Sequence, residues 1–188
     1  RPAEDVLPRQ LFRFRLRNGL VAQVTIPDAE GERLFRRVQS PSDFHYVDVF
    51  DSFKHRIAIN LRQVVATQFD YMPSEAGLPE GLWIDDHDIV QVFFADSPQP
   101  TRLDIESDEM TIAEFDEGNE KDDDACQLDS MFFYFGMAYD DTDDVVHLRD
   151  ADGASIWLRI SEIALVTVPL ALLRERPKKS RRKATKKK

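Results

Sequence analysis

Residues 12–17 read Phe-Arg-Phe-Arg-Leu-Arg. Strict alternation of large apolar side chains with guanidinium groups suits one half-buried strand. It defeats a helix, whose 3.6-residue period would scatter both kinds around its circumference. Asn18-Gly19 follows, a dipeptide at ease with the positive dihedrals of a tight hairpin. "LVAQVTI" (20–26) then returns as a second strand. The same period of two continues in "HYVDVF" (45–50) and "RIAINLRQVVATQF" (56–69). No long segment shows a helical period. Short helical turns are expected near "AEGERLFRRV" (29–38) and "LPEGLW" (78–83).

The pattern recurs. Residues 45–68 align without gaps on residues 144–167, an offset of 99. Val47 falls on Val146, Val49 on Leu148, Ile57 on Ile156, Ile59 on Leu158, Leu61 on Ile160 and Val64 on Ile163. Upstream, "LFRFRL" matches "IVQVFF" (89–94). The match is one of hydrophobic pattern and points to a duplicated β unit. Four or five short strands in 60 to 80 residues is the size of a small closed or partly open barrel, and closure removes exposed edges. The expected division is a first barrel over 1–72, a Pro/Gly-rich linker over 73–86 and a second barrel over 87–173. The second carries an acidic insertion at 113–130, and a basic tail closes the chain at 174–188. "MFFYFGMAY" (131–139) is expected as an extra strand, buried between the barrels or at a dimer interface. Phe12, Phe14, Phe50, Phe133 and Trp157 sit at positions expected to fill the cores.

The first copy resembles the small barrels of the Sm-like group, which includes bacterial Hfq. The carrying residues are Leu16-Arg17-Asn18-Gly19, similar to that family's apolar-x-Asn-Gly hairpin. "DVFDSFKHRIAINLRQVVATQF" (48–69) and "IWLRISEIALVTVP" (156–169) resemble its closing strands. The resemblance covers about 60 residues of the first copy and the last 25 or so of the second. It implies an all-β fold of two tandem Sm-like barrels; another SH3-like barrel fits the same pattern. Arg62-Gln63 stand where the family carries a Lys-His pair, so no binding residue carries over.

Net charge hides the electrical organisation. Residues 1–72 hold 11 Lys/Arg against 9 Asp/Glu, residues 73–173 hold 4 against 25, and residues 174–188 hold 10 against 1. The three segments therefore carry +2, −21 and +9. On the first, Arg13, Arg15 and Arg17 form an expected cationic stripe, joined by Arg33, Arg36, Arg37, Lys54 and Arg56. Such a stripe meets phosphate or an acidic partner. It also serves as a solvated face that protects a sheet edge, or as a dock for the acidic segment of the same chain.

The tail "RERPKKSRRKATKKK" has nothing apolar beyond one Ala and is expected to be disordered. Lys178, Lys179, Arg181, Arg182 and Lys183 suit counterion-releasing contact with nucleic acid. A nuclear-import signal and contact with an anionic membrane surface are other uses of such a run. The acidic segment lacks the alternate oxygen spacing of an EF-hand loop, and Asp152-Gly153 reads as a hairpin turn, so no metal is expected. His45, His55, His87 and His147 are scattered, and "DDHD" (85–88) has no second cluster at ligand spacing. Cys126, the one cysteine, stands among carboxylates, which disfavour a thiolate. A single cysteine forms no internal disulfide, no run reaches the ~20 apolar residues of a membrane span, and "RPAEDVLPRQ" has no apolar core of secretory type. A cytoplasmic setting without cofactors is expected.

The expected function is therefore a non-enzymatic nucleic-acid-binding module, for RNA or non-specific DNA. The tail would supply encounter and the arginine face positioning, with the acidic half as modulator. A protein–protein adaptor, whose residues 113–130 hold a basic partner, is the competing reading. An enzyme built on His45, His55 and nearby carboxylates ranks third.

Overall fold

The first two strands form the hairpin their sequence predicts. In the computed structural model, which describes residues 9–40, 45–71, 77–105, 127–136 and 145–174, β1 (Arg9–Leu16) and β2 (Val21–Pro27) run antiparallel with Phe12 opposite Val24. Gly19 turns the chain at φ +91°, a conformation that strains any residue with a Cβ. The chain continues through α1 (Asp28–Gln39), β3 (Val47–Asp51), β4 (His55–Asn60), a 3₁₀ turn at Leu61–Gln63 and β5 (Val64–Asp70). A short β6 (Leu82–Trp83) and a second 3₁₀ turn at Ile84–Asp86 lead into β7 (Val90–Phe94) and β8 (Thr101–Leu103). Then come α2 (Gln127–Gly136), β9 (Val145–Arg149), β10 (Ser155–Arg159), a third turn at Ile160–Glu162, β11 (Ile163–Pro169) and α3 (Leu170–Arg174). The third turn and β11 lie 99 residues after the first turn and β5, the spacing of the hydrophobic alignment.

The fold is mostly strands, but the sheets do not close into two barrels. They have the orders β5-β1-β2-β6, β3-β4-β11-β7-β8 and β10-β9. The five-stranded sheet takes β3 and β4 from the first half and β11, β7 and β8 from the second, with Ile57 opposite Thr167 across the junction. Composition explains the exchange. Every residue of β11 (IALVTVP) is buried, which a strand achieves only at the centre of a sheet covered on both faces. The corresponding β5 (VVATQFD) carries Gln68 and Asp70, is half-exposed and stays at an edge.

The central sheet is a shared wall. Side chains alternate across it. Phe50, Ile57, Ile59, Phe93 and Leu165 join Phe12, Phe14, Val24 and Leu34 in one core. Ala58, Val92, Val166 and Val168 join Leu128, Met131, Phe135, Val146 and Leu158 in the other.

Two segments differ from the expectation. Residues 28–39 form a full 12-residue helix rather than a short turn. Asp28 and Glu30 in its first turn and Arg36 and Arg37 in its last complement the helix dipole, and Leu34 anchors it. The run expected as a strand at 131–139 is helical over its described part, to Gly136. Leu128, Met131, Phe132 and Phe135 recur at helical spacing and enter the second core, while Phe133 and Tyr134 face outward. Adjacent aromatics about 100° apart on a helix, one buried and one exposed, read in one dimension like a doubly buried strand. Of the expected linker, Leu82 pairs parallel with Ala22 and Ile84 is fully buried. The acidic insertion at 113–130, apart from the start of α2, lies outside the described residues, as do residues 175–188.

Candidate nucleic-acid interface

The arginines of β1 point away from the first core, as the alternation requires, but they do not share one environment. Arg13 is buried: its Nε donates to Gln23 Oε1 at 2.9 Å and its Nη1 to the Leu78 carbonyl at 3.2 Å. The segment after Gly77 crosses the outer face of the sheet there, held by the Leu78 amide donating to Gln68 Oε1 at 2.7 Å. Arg15 and Arg17, nearer the hairpin tip, remain exposed. Arg17 donates from Nε to the Arg62 carbonyl at 2.9 Å, and the Arg62 guanidinium lies over the Tyr46 ring, 4.5 Å from its centre. Among the described residues no carboxylate stands within ion-pair distance of Arg15 or Arg17.

The other predicted cations are spread out and mostly engaged. Arg33 grips Asp48 at 2.8 Å and Glu30 at 3.0 Å. Burial lowers its pKa, and the hydrogen bonds and charges of Asp48 and then Glu30 more than reverse that, leaving the guanidinium above its ordinary value. Arg37 donates to the His45 carbonyl. Arg36 is exposed beside Glu32, 3.8 Å away. Lys54 reaches the Asp85 carbonyl at 3.3 Å. Arg56 pairs with Asp51 through two bonds of 2.8 and 3.1 Å and covers the Phe132 ring. The structure therefore leaves Arg15 and Arg17 exposed near the hairpin tip, with Arg17 bonded to the Arg62 backbone. Arg13 is buried, while Arg33, Arg37 and Arg56 are engaged by carboxylates or carbonyls. Lys178, Lys179, Arg181, Arg182 and Lys183 lie outside the described residues.

Ser52, His55 and Asp85 meet, but in a latch. Asp85 Oδ1 accepts from Ser52 Oγ at 2.9 Å and faces His55 Nδ1 at 3.1 Å. His55 Nε2 donates to the His87 carbonyl at 2.6 Å. Ser52 Oγ in turn accepts from the His55 amide at 2.8 Å. No serine–imidazole contact of the nucleophile–base kind is made, and the His55 side chain is 1% exposed. The cluster ties the 84–87 turn to the β3–β4 hairpin. Among the described residues no group of three or more His, Cys, Asp or Glu is arranged to hold a metal ion, and no helix is long and apolar enough to cross a membrane.

A surface that sequence reasoning missed lies on the β9–β10 hairpin. Trp157, expected in a core, is 58% exposed and stacks on His147 across the strands, with ring centres 4.2 Å apart and planes within 20°. Arg149 stands opposite Ser155 and Arg159 opposite Val145 on the same face. The misplacement has a physical source. The offset of 99 aligns Trp157 with Ala58, which is buried because β4 is covered on both faces. The β10 strand is covered on one. The alternation Ser155-Ile156-Trp157-Leu158-Arg159 carries the correct signal: Trp157 shares its parity with a serine and an arginine.

Comparison with known proteins returns nothing: no family model matches the sequence, and no characterised protein or solved structure matches the chain.

Proposed function

We propose that the protein is a non-enzymatic nucleic-acid-binding module. It is built from two related SH3-like or Sm-like β units that share a central sheet. The observation that supports the reading most is the exposed Arg15 and Arg17 near the hairpin tip, with no carboxylate within ion-pair distance of either among the described residues. Like charges kept together at a surface repel one another and are relieved by a polyanion. The tail, with 10 Lys/Arg in 15 residues, adds long-range attraction. The −21 of residues 73–173 opposes it and keeps binding weak and reversible.

The test is anisotropy of labelled single-stranded oligouridine and duplex DNA across a salt series. Intact protein is compared with a variant carrying Gln at Lys178, Lys179, Arg181, Arg182 and Lys183. Binding at low salt that weakens steeply, with a flatter slope in the variant, supports the reading. Absence of binding at low salt overturns it. In that event the adaptor reading takes over, favoured by the 25 Asp/Glu against 4 Lys/Arg in residues 73–173. Its mark is salt-sensitive capture of a lysine-rich peptide.

A further inference from the structure

We propose that the open edge of β5 accepts one added strand, an extended peptide in which apolar and acidic residues alternate. The inference goes beyond the nucleic-acid reading and stands without it.

The edges of the described sheets differ in their protection. An edge strand presents a row of backbone N–H and C=O groups, which short length, charge or a capping side chain blunts. β6 has two residues and β8 three. β9 and β10 each end on an arginine. β3 carries Asp48 and Asp51, held by Arg33 and Arg56, and Arg33 also donates to the Val49 carbonyl at 3.0 Å. β5 has seven residues, a single charge at its terminal Asp70, and β1 as its one strand neighbour among the described residues. Val65 stands unmatched at a bulge near its start, but residues 66–70 keep an unbroken register with residues 11–15.

The two sides of this edge have opposite chemistry. On the core side, where Phe69 lies opposite Phe12, Phe35 of α1 meets Phe69 edge-on with ring centres 5.6 Å apart. Phe35 stays 47% exposed, which leaves an apolar ledge beside the strand. On the outer side, the exposed Arg15 stands opposite Ala66. Arg17 lies beside the start of β5, its amide donating to the Gln63 carbonyl at 2.8 Å. No carboxylate is within ion-pair distance of Arg15 or Arg17 among the described residues.

This difference selects the occupant. Successive side chains of an added strand point to opposite sides of the sheet. One alternate set therefore falls on Phe35 and the other toward Arg15 and Arg17. Apolar residues in the first set cover the ledge, and carboxylates in the second pair with guanidinium groups. Main-chain hydrogen bonds supply affinity in such an addition, and the two sets of side chains supply specificity. A basic peptide meets like charge on the outer side. A nucleic-acid strand offers the right charge but no backbone amides for the ladder.

The experiment follows the anisotropy of a labelled peptide of alternating glutamate and valine, titrated with full-length protein at low salt. Two further peptides carry N-methyl groups on one or the other alternate set of amides. The set that faces β5 is expected to weaken binding about 2- to 12-fold for each amide lost, and the opposite set leaves affinity unchanged. Phe35→Ala is expected to bind the parent peptide about 2- to 12-fold more weakly, the range of one aromatic contact. Arg15→Gln/Arg17→Gln binds it about 2- to 30-fold more weakly, the range of two exposed ion pairs. The methylated peptides act on the ligand alone and keep the test sharp should a protein variant fold poorly. No binding of the parent peptide, equal binding of the two methylated peptides, or wild-type affinity in folded Phe35→Ala overturns the inference. Peptide binding without oligouridine binding upholds it and overturns the functional reading; oligouridine binding without peptide binding does the reverse.

Discussion

Asn18, at the tip of the first hairpin, donates from Nδ2 to the carbonyl oxygens of Phe94 and Ser97, both at 2.8 Å. Its Oδ1 accepts from the Leu20 amide at 3.0 Å, so one side chain shapes its own turn and pins that turn to the end of β7. Asn18→Ala leaves two half-buried carbonyls with one partner fewer and is expected to lower stability by about 1–3 kcal/mol. Gly19→Ala meets no neighbour within 4 Å and bears only the left-handed backbone strain, about 1 kcal/mol. Urea unfolding of the two variants reads the difference.

The arginines of β1 divide by role. Arg13→Ala removes a buried donor from Gln23 Oε1 and the Leu78 carbonyl and is expected to cost about 1–3 kcal/mol of stability. Arg15→Ala falls on an exposed position and is expected within about ±0.5 kcal/mol. Thermal melts of both variants check the split.

The latch at His55 makes a third prediction. Asp85→Ala strips partners from both Ser52 and His55, the latter fully buried, and is expected to destabilise by about 1–3 kcal/mol. Faster hydrogen exchange at residues 82–87, ahead of the β1–β2 hairpin, would show that the loss loosens the turn it ties down.

Strands at corresponding positions should respond oppositely to charge. Val166 in β11 is fully buried and Val65 in β5 is 55% exposed. Val166→Lys places an unpaired ammonium at the centre of the shared sheet and is expected to cost more than about 4 kcal/mol, while Val65→Lys stays within about 0.5 kcal/mol. Denaturant midpoints of the pair test whether β11, and not β5, joins the two halves.

Much of this architecture is legible in the chain. The alternation of Phe12, Phe14 and Leu16 with arginines, closed by Asn18-Gly19, predicts the first hairpin and its turn, with strand ends one to three residues from those observed. The spacing of 99 residues relates β5 to β11, while the 3₁₀ turn at Leu61–Gln63 interrupts the run 56–69 that the alternation reads as a single strand. The helices escape because α1 has one fully buried anchor, Leu34, amid charges, and because Phe132 and Phe133 are neighbours in sequence but not on the helix surface. Strand exchange escapes for another reason. Alternation reports which face of a strand is apolar, but not which neighbour it pairs with. The full burial of β11 hints at a central place, and only three-dimensional pairing shows that β4 supplies the partner. The site follows the same rule. Exposure of Arg15 and burial of Arg13 depend on where residues 77–80 cross the sheet, a long-range fact with no local signature. Exposure of Trp157 depends on β10 being covered on one face only.

The most direct test of the functional account is the salt dependence of oligouridine binding in wild type and in Arg15→Gln/Arg17→Gln. The account predicts measurable binding at low salt, a linear fall of log affinity with log salt, and a slope reduced by about 1.4 in the double variant. No binding at low salt, or the same slope in both proteins, would contradict it.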